Sequence, residues 1–217
     1  MSRKRSRNQR PTKPSFYIFV DGETEKAYLN GLKSSLKNRF SLTIEPKLKS
    51  SDLSSPKKDL RYFIERLEEK LKGEKNKGYD MVYYLLDNDV ILSQSESITD
   101  GKEKPSEKLK KIREHFKKDN NIEILVNSPC FELWLLLHFT YTTRDFNNCS
   151  DVINDLKKEL KKHDSSYEKS IKKYEKIYKE YEDKLKSAIE NARRLDKDET
   201  KSKAQIYKII EKLARSE

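Results

Sequence analysis

Met81-Val82-Tyr83-Tyr84-Leu85-Leu86-Asp87-Asn88-Asp89 is the stretch on which the fold turns. An apolar and aromatic run with no polar side, stopping abruptly at acids, reads as a strand buried on both faces. Such a strand needs helices over both faces, the arrangement of a parallel α/β sheet. Met81 to Leu86 is therefore expected as the third strand and the centre of that sheet. A second stretch has the same form: Phe16-Tyr17-Ile18-Phe19-Val20 runs into Asp21-Gly22-Glu23-Thr24-Glu25.

Working outward, Ala27, Tyr28, Leu32 and Leu36 fall at helical spacing after the first strand, and Phe40 to Ile44 alternates as a second. Pro56 opens a helix bearing Leu60, Phe63, Ile64, Leu67 and Leu71, which ends near Gly73 and Gly78. A polar loop over 93–104 precedes a helix from Ser106 to Lys118, and Ile122 to Val126 reads as a fourth strand. The order β-α-β-α-β-α-β predicts a mostly parallel sheet with right-handed crossovers. Asn127-Ser128-Pro129 then leads into an apolar helix, Cys130 to Phe139, with Ser128 as cap and Pro129 at the first helical position. That helix has no polar face, so it should be enclosed. Helices are expected over Ser150 to Lys162, Tyr167 to Leu195 and Ser202 to Arg215. In the long one, Ile171, Tyr174, Ile177, Tyr178, Tyr181, Leu185 and Ile189 form a stripe that reads as helix packing rather than a base-stacking surface. The predicted organisation is a disordered basic tail over 1–14, an α/β core over 15–140, and a helical extension packing on the core over 141–217.

Charged residues make up 39% of the 217-residue chain and hydrophobic ones 34%. The apolar residues are clustered into strand runs and helical stripes, which disordered chains lack. A net charge of +11 favours polyanion partners, since Lys and Arg neutralise phosphates and release counterions; Lys-rich solvated helix faces account for part of it. Arg3, Lys4, Arg5, Arg7, Arg10 and Lys13 stand almost unopposed at the amino end. Cys130 and Cys149 are too few and too isolated for a disulfide framework or a CxxC zinc site, so a reduced, cytoplasmic protein is expected. No apolar run approaches the roughly 18 residues that span a bilayer, and no signal-peptide core follows the basic residues.

Carboxylates are hard oxygen ligands, and in a parallel sheet the strand carboxyl ends share one edge. Asp21 and the Asp87/Asp89 pair should meet there. Strand periodicity turns Asp87 and Asp89 to one side and Asn88 to the other. Two such carboxylates can bind Mg²⁺ or Mn²⁺, which usually keeps several waters. Taken alone, a DxD is more often a loop or capping element. Gly22 permits a tight turn, and Glu25 in the first turn of the next helix is either a further ligand or a residue complementing the helix dipole. Glu132 is a carboxylate in an otherwise apolar helix and must meet a cation, a metal or a donor. His138, about 120° further round that helix, should not share a ligand with it and reads first as a satisfied core histidine. No Ser-His-Asp order, GxxxxGKS, HExxH or GxGxxG is present, so ATPase and zinc-hydrolase readings fail.

These motifs together resemble the RloB/AbiLii family. Asp21-Gly22-Glu23-Thr24-Glu25 resembles its EG-x-TE motif, Asp87-Asn88-Asp89 its DxD, and the stretch from Asn127 through Phe131-Glu132-Leu133-Trp134 to Phe139 its NPxFELWLLLHF signature. Ala192-Arg193-Arg194-Leu195 adds to a resemblance that covers nearly the whole chain. It implies a Toprim-like domain, phage defence by abortive infection, and a partner ATPase of AAA or ABC type. It also implies Asp21, Glu25, Asp87 and Asp89 as metal ligands, with Glu132 as a fifth acid in the site. Two positions depart from the pattern: Asp21 stands where the family usually has Glu, and Ser128 interrupts the Asn-Pro pair.

The leading expectation is a Mg²⁺- or Mn²⁺-dependent nuclease, with Asp21, Glu25, Asp87, Asp89 and Glu132 as candidate catalytic residues and DNA or RNA, tRNA included, as substrate. The alternative is a non-catalytic Toprim-like module that binds nucleic acid and an ATPase as sensor or scaffold.

Overall fold

β1 (Ser15–Val20) is buried from Phe16 onward, and the chain pairs it on both sides with parallel strands. The computed structural model describes residues 13–20, 22–36, 39–46, 69, 73, 78–88, 105–163, 166–167 and 177–215. Asp21, Asp89, Ile171, Tyr174, the loop over 93–104, residues 1–12 of the basic tail and, apart from Glu69, Gly73 and Gly78, the expected helix from Pro56 with its end lie outside them.

β2 (Ser41–Pro46), β3 (Met81–Asp87), β4 (Ile122–Ser128) and the two-residue β5 (Lys203–Ala204) complete a five-stranded sheet in the order β2-β1-β3-β4-β5. The first four are mutually parallel and β5 is antiparallel to β4. β3 is the central strand, as its unbroken apolar run requires. Its register sets Tyr83 beside Ile18 and Tyr84 beside Ile124. The fold is thus α/β with a mostly parallel sheet between helices.

Strand alternation sorts the core into two layers. Phe16, Ile18, Val20, Tyr83, Leu85 and Leu125 face one side, where most of the described helices pack. These are α1 (Glu23–Ser35), α3 (Glu132–Leu137), α4 (Cys149–Lys161), α5 (Ile177–Tyr181), α6 (Leu185–Lys197) and α7 (Ile206–Ala214). Tyr17, Phe19, Val82, Tyr84, Leu86 and Val126 face the other, against Leu109, Ile112 and Phe116 of α2 (Pro105–Phe116). Each such side chain contributes about 1.5–3 kcal/mol by leaving water. α3 is buried on every side, as its lack of a polar face predicts.

Four features differ from the sequence reading. The apolar helix begins at Glu132, not Cys130, and Ser128 does not cap it. Ser128 is the last strand residue, paired with Lys203, and the Ser128–Pro129 peptide is cis. The long helix is interrupted by a 3-10 turn over Glu182–Lys184. Its stripe is nonetheless core: Ile177, Tyr178 and Tyr181 are buried. The segment from Ser202 opens with β5 before turning helical. Finally, Cys130 and Cys149 are not isolated. The packing of α3 against α4 closes their separation of 19 positions, and the two form a disulfide with Cα atoms 5.6 Å apart.

α1 and α5 approach so closely that a Cβ on Gly31 would lie 2.3 Å from Tyr178 Cβ. Only a residue without a side chain fits that crossing.

Candidate active site

The strand order creates one topological switch point. From β1 the sheet extends to β2 on one side and to β3 and β4 on the other, and α1 and α2 pack on opposite faces, the arrangement in which α/β sheets bind ligands at the strand carboxyl ends. β1 ends at Val20 and β3 at Asp87.

Alternation along β3 puts Asp87 on the side of Tyr83 and Leu85, the side on which α1 packs. Glu25 sits in the first turn of α1 and is 4% exposed. Its carboxylate folds back over Gly22, with Oε2 only 2.9 Å from where a Cβ on Gly22 would stand. Gly22 caps α1 in extended backbone and offers no side-chain bond. Its missing side chain leaves the space that the Glu25 carboxylate fills. A glutamate three residues past the cap also occupies the place of a capping-box acid.

Asp87 pairs across the sheet with Asn127, which is fully buried. Asn127 Nδ2 donates to Asp87 Oδ1 at 3.4 Å, and its Oδ1 accepts from the Ile206 amide at 3.5 Å. Asn88 turns the other way. Its backbone N–H donates to the carbonyls of Asn127 and Pro129, each at 2.9 Å, and its side-chain amide donates to Ser128 Oγ at 3.4 Å. These bonds fix the end of β3.

The amino end of α7 is held by a second network. Gln205 Oε1 accepts from Val126 N at 3.1 Å and from Arg113 at 3.3 Å, while its amide donates to Asp196 at 3.2 Å. Burial works against ionisation of Asp196, but its bonds from Gln205, Lys208 and Tyr207 outweigh burial and hold the carboxyl below the usual range. Asn127 thus reaches Asp87 from a braced position.

Glu132 is engaged by other groups. Oε1 accepts from the Tyr167 hydroxyl at 2.8 Å, and Oε2 lies 3.2 Å from Cys149 Sγ. His138 is a core histidine: Nδ1 faces the Trp134 carbonyl at 2.9 Å and Nε2 faces the Tyr28 hydroxyl at 3.1 Å. With Nδ1–H donating, Nε2 accepts from Tyr28, so the neutral ring is satisfied at both nitrogens. Burial pushes its pKa down to about 4. Burial likewise pushes the Tyr28 hydroxyl well above the usual range.

Of the candidate acids, the structure brings Glu25 and Asp87 to one face of the sheet and places Glu132 between Tyr167 and Cys149; Asp21 and Asp89 lie outside the described residues. A sequence profile of the RloB-like protein family matches residues 16–213. The chain belongs to the RloB-like family. No curated protein and no solved structure matches this RloB-like chain.

Sequence reasoning takes Asn127 only as the entry to the apolar helix and misses its bond to Asp87. The register of two strands carries that information, and no spacing along one chain does. The grouping of Cys130, Glu132 and Cys149 is missed for the same reason. Among the described residues no helix is long and apolar enough to cross a membrane.

Proposed function

We propose that this RloB-like protein is a metal-dependent nuclease with a Toprim-like core, whose active site is the carboxyl edge at the β1/β3 switch point. The observation that carries this reading is Asp87, held at the end of β3 by Asn127 on the face where the Glu25 carboxylate folds back over Gly22. Asp21 and Asp89 join the set because they adjoin Val20 and Asn88 in the chain.

Carboxylates with no sulfur or imidazole beside them in the motif suit Mg²⁺ or Mn²⁺. When bound, such an ion polarises a phosphodiester and makes its bound water a nucleophile near neutral pH. In this scheme Asp87 and Asp89 serve as ligands, and Glu25 or Asp21 as ligand or as base for the attacking water. Asn127 orients Asp87. Lys and Arg side chains, in net excess by 11 charges, neutralise the phosphate backbone of DNA or RNA. We place the activity in the cytoplasm, in abortive infection, with an ATPase partner.

The test is the double variant Asp87→Asn, Asp89→Asn, assayed in Mn²⁺ against tRNA, single-stranded RNA and duplex DNA, with and without the ATPase. Cleavage should vanish while the circular dichroism spectrum stays unchanged; undiminished cleavage rejects the site.

A second reading, a non-catalytic nucleic-acid- and ATPase-binding module, draws on the capping-box position of Glu25 and on the shorter Asp21. Titration calorimetry with Mn²⁺ separates the two, because a scaffold needs no carboxylate-dependent metal binding.

A further inference from the structure

The nuclease reading makes no use of a buried cluster on the sheet's helical side. Cys130 follows the end of β4, Glu132 opens α3 and Cys149 opens α4. Their ligand atoms lie within 4.8 Å of one another, and Cys130 and Glu132 are 1% and 2% exposed. Tyr167 donates to the far oxygen of the carboxylate.

The sulfur facing Glu132 Oε2 is chemically two-sided. As half of a disulfide it has no hydrogen to give a carboxylate; as a thiol it can donate, and as a thiolate it can share a cation with it. We propose that in the reduced protein Cys130, Glu132 and Cys149 form a zinc site, and that the disulfide is its metal-free oxidised form.

Two thiolates and one carboxylate are a donor set that favours Zn²⁺ over Mg²⁺ or Mn²⁺. Three protein ligands leave a fourth tetrahedral position for water, which can enter beside the half-buried Cys149. A zinc ion with Zn–S of about 2.3 Å holds its two sulfurs roughly 3.8 Å apart. Side-chain rotation reaches that separation from Cα atoms 5.6 Å apart. Cys149 also lies at the amino end of α4, where negative charge is stabilised. The bond from Tyr167 to Glu132 is the outer-shell support that ligating carboxylates usually have.

A dithiol reductant passes two electrons and two protons to the Cys130–Cys149 bond, giving two thiols and becoming a disulfide itself. Zn²⁺ then displaces the two thiol protons, and Glu132 adds its carboxylate unchanged. The site joins the entry of α3 to α4 in either state, so oxidation replaces a metal link with a covalent one.

The experiment uses full-length protein, reduced with a phosphine, stripped of metal and titrated with Zn²⁺ and, in parallel, Co²⁺. Stoichiometric uptake and a thiolate-to-cobalt charge-transfer band are expected. The oxidised protein, folded and of the same sequence, should take up none at the site and show no such band. Tyr167→Phe should weaken binding by about tenfold, and Glu132→Gln by more. Substoichiometric uptake by the reduced protein, equal uptake by the oxidised protein, or wild-type affinity in Glu132→Gln overturns the proposal. The titrations are run in the Asp87→Asn, Asp89→Asn background, where the strand-end carboxylates cannot contribute to Zn²⁺ or Co²⁺ uptake, and no readout depends on cleavage of nucleic acid.

Discussion

Asn127 donates its side-chain amide to Asp87 across neighbouring strand ends, Nδ2 to Oδ1 at 3.4 Å. The donor is fully buried, so its loss leaves the carboxylate less restrained and the Ile206 amide without its acceptor. Asn127→Asp sets a second carboxylate against the first. It should cost about 1–3 kcal/mol in urea unfolding without metal, and tighten Mn²⁺ binding at the edge by adding a hard oxygen donor. Asn127→Ala should show a similar stability loss with a smaller effect on Mn²⁺. Unchanged unfolding in both would remove Asn127 from the account of this edge.

Gly22→Ala tests the Glu25 position. The added methyl would stand 2.9 Å from Glu25 Oε2, the far end of a flexible side chain, so the carboxylate can move aside. The backbone at Gly22 is extended and tolerates any residue. Stability should therefore change by less than about 1 kcal/mol, while Mn²⁺ affinity in calorimetry falls. Wild-type affinity would show that Glu25 serves only to cap α1.

Gly31→Ala sets two effects against each other. In an open helix this change stabilises by up to about 1 kcal/mol. Here the new methyl meets Tyr178 Cβ at 2.3 Å and Cγ at 2.9 Å, close to the backbone of α5. Overpacking of this kind costs about 1–3 kcal/mol, so the sign should reverse and the urea midpoint should fall. Adding Tyr178→Gly, which removes the Cβ that alanine would keep, should show a favourable coupling in a double-mutant cycle.

His138 should make the protein acid-sensitive. Its folded pKa, pushed down by burial to about 4, lies below the unfolded value of 6.5. Between these values the unfolded chain takes up a proton that the folded protein refuses. Its contribution is intact above pH 6.5 and is lost as pH falls toward 4, at up to about 1.4 kcal/mol per unit. Urea midpoints from pH 7 to pH 4 for the wild type and His138→Gln should converge as pH falls. Parallel curves would mean that His138 titrates alike in both states.

The strands and their parallel order are legible because an apolar run with no polar side has few alternatives to a central strand. Tyr83 and Leu85 lie to one side and Tyr84 and Leu86 to the other, as alternation demands. β5 has only two residues, too few for any period, and it appears only when Lys203 is seen beside Ser128. The break at Glu182–Lys184 is invisible because a 3-10 turn scarcely disturbs the spacing of Tyr181 and Leu185. At the edge, Glu25 and Asp87 are readable as acids after buried strands. Their neighbours Asn127 and Ile206 are brought in by contacts between distant segments, which no single window contains.

The fifth strand and the α7 amide reach the edge from far along the chain. A ribosome must have passed residue 206 by the full length of its exit tunnel before Asn127 can meet its backbone partner. Nascent chains therefore carry the acids long before the brace that holds Asp87.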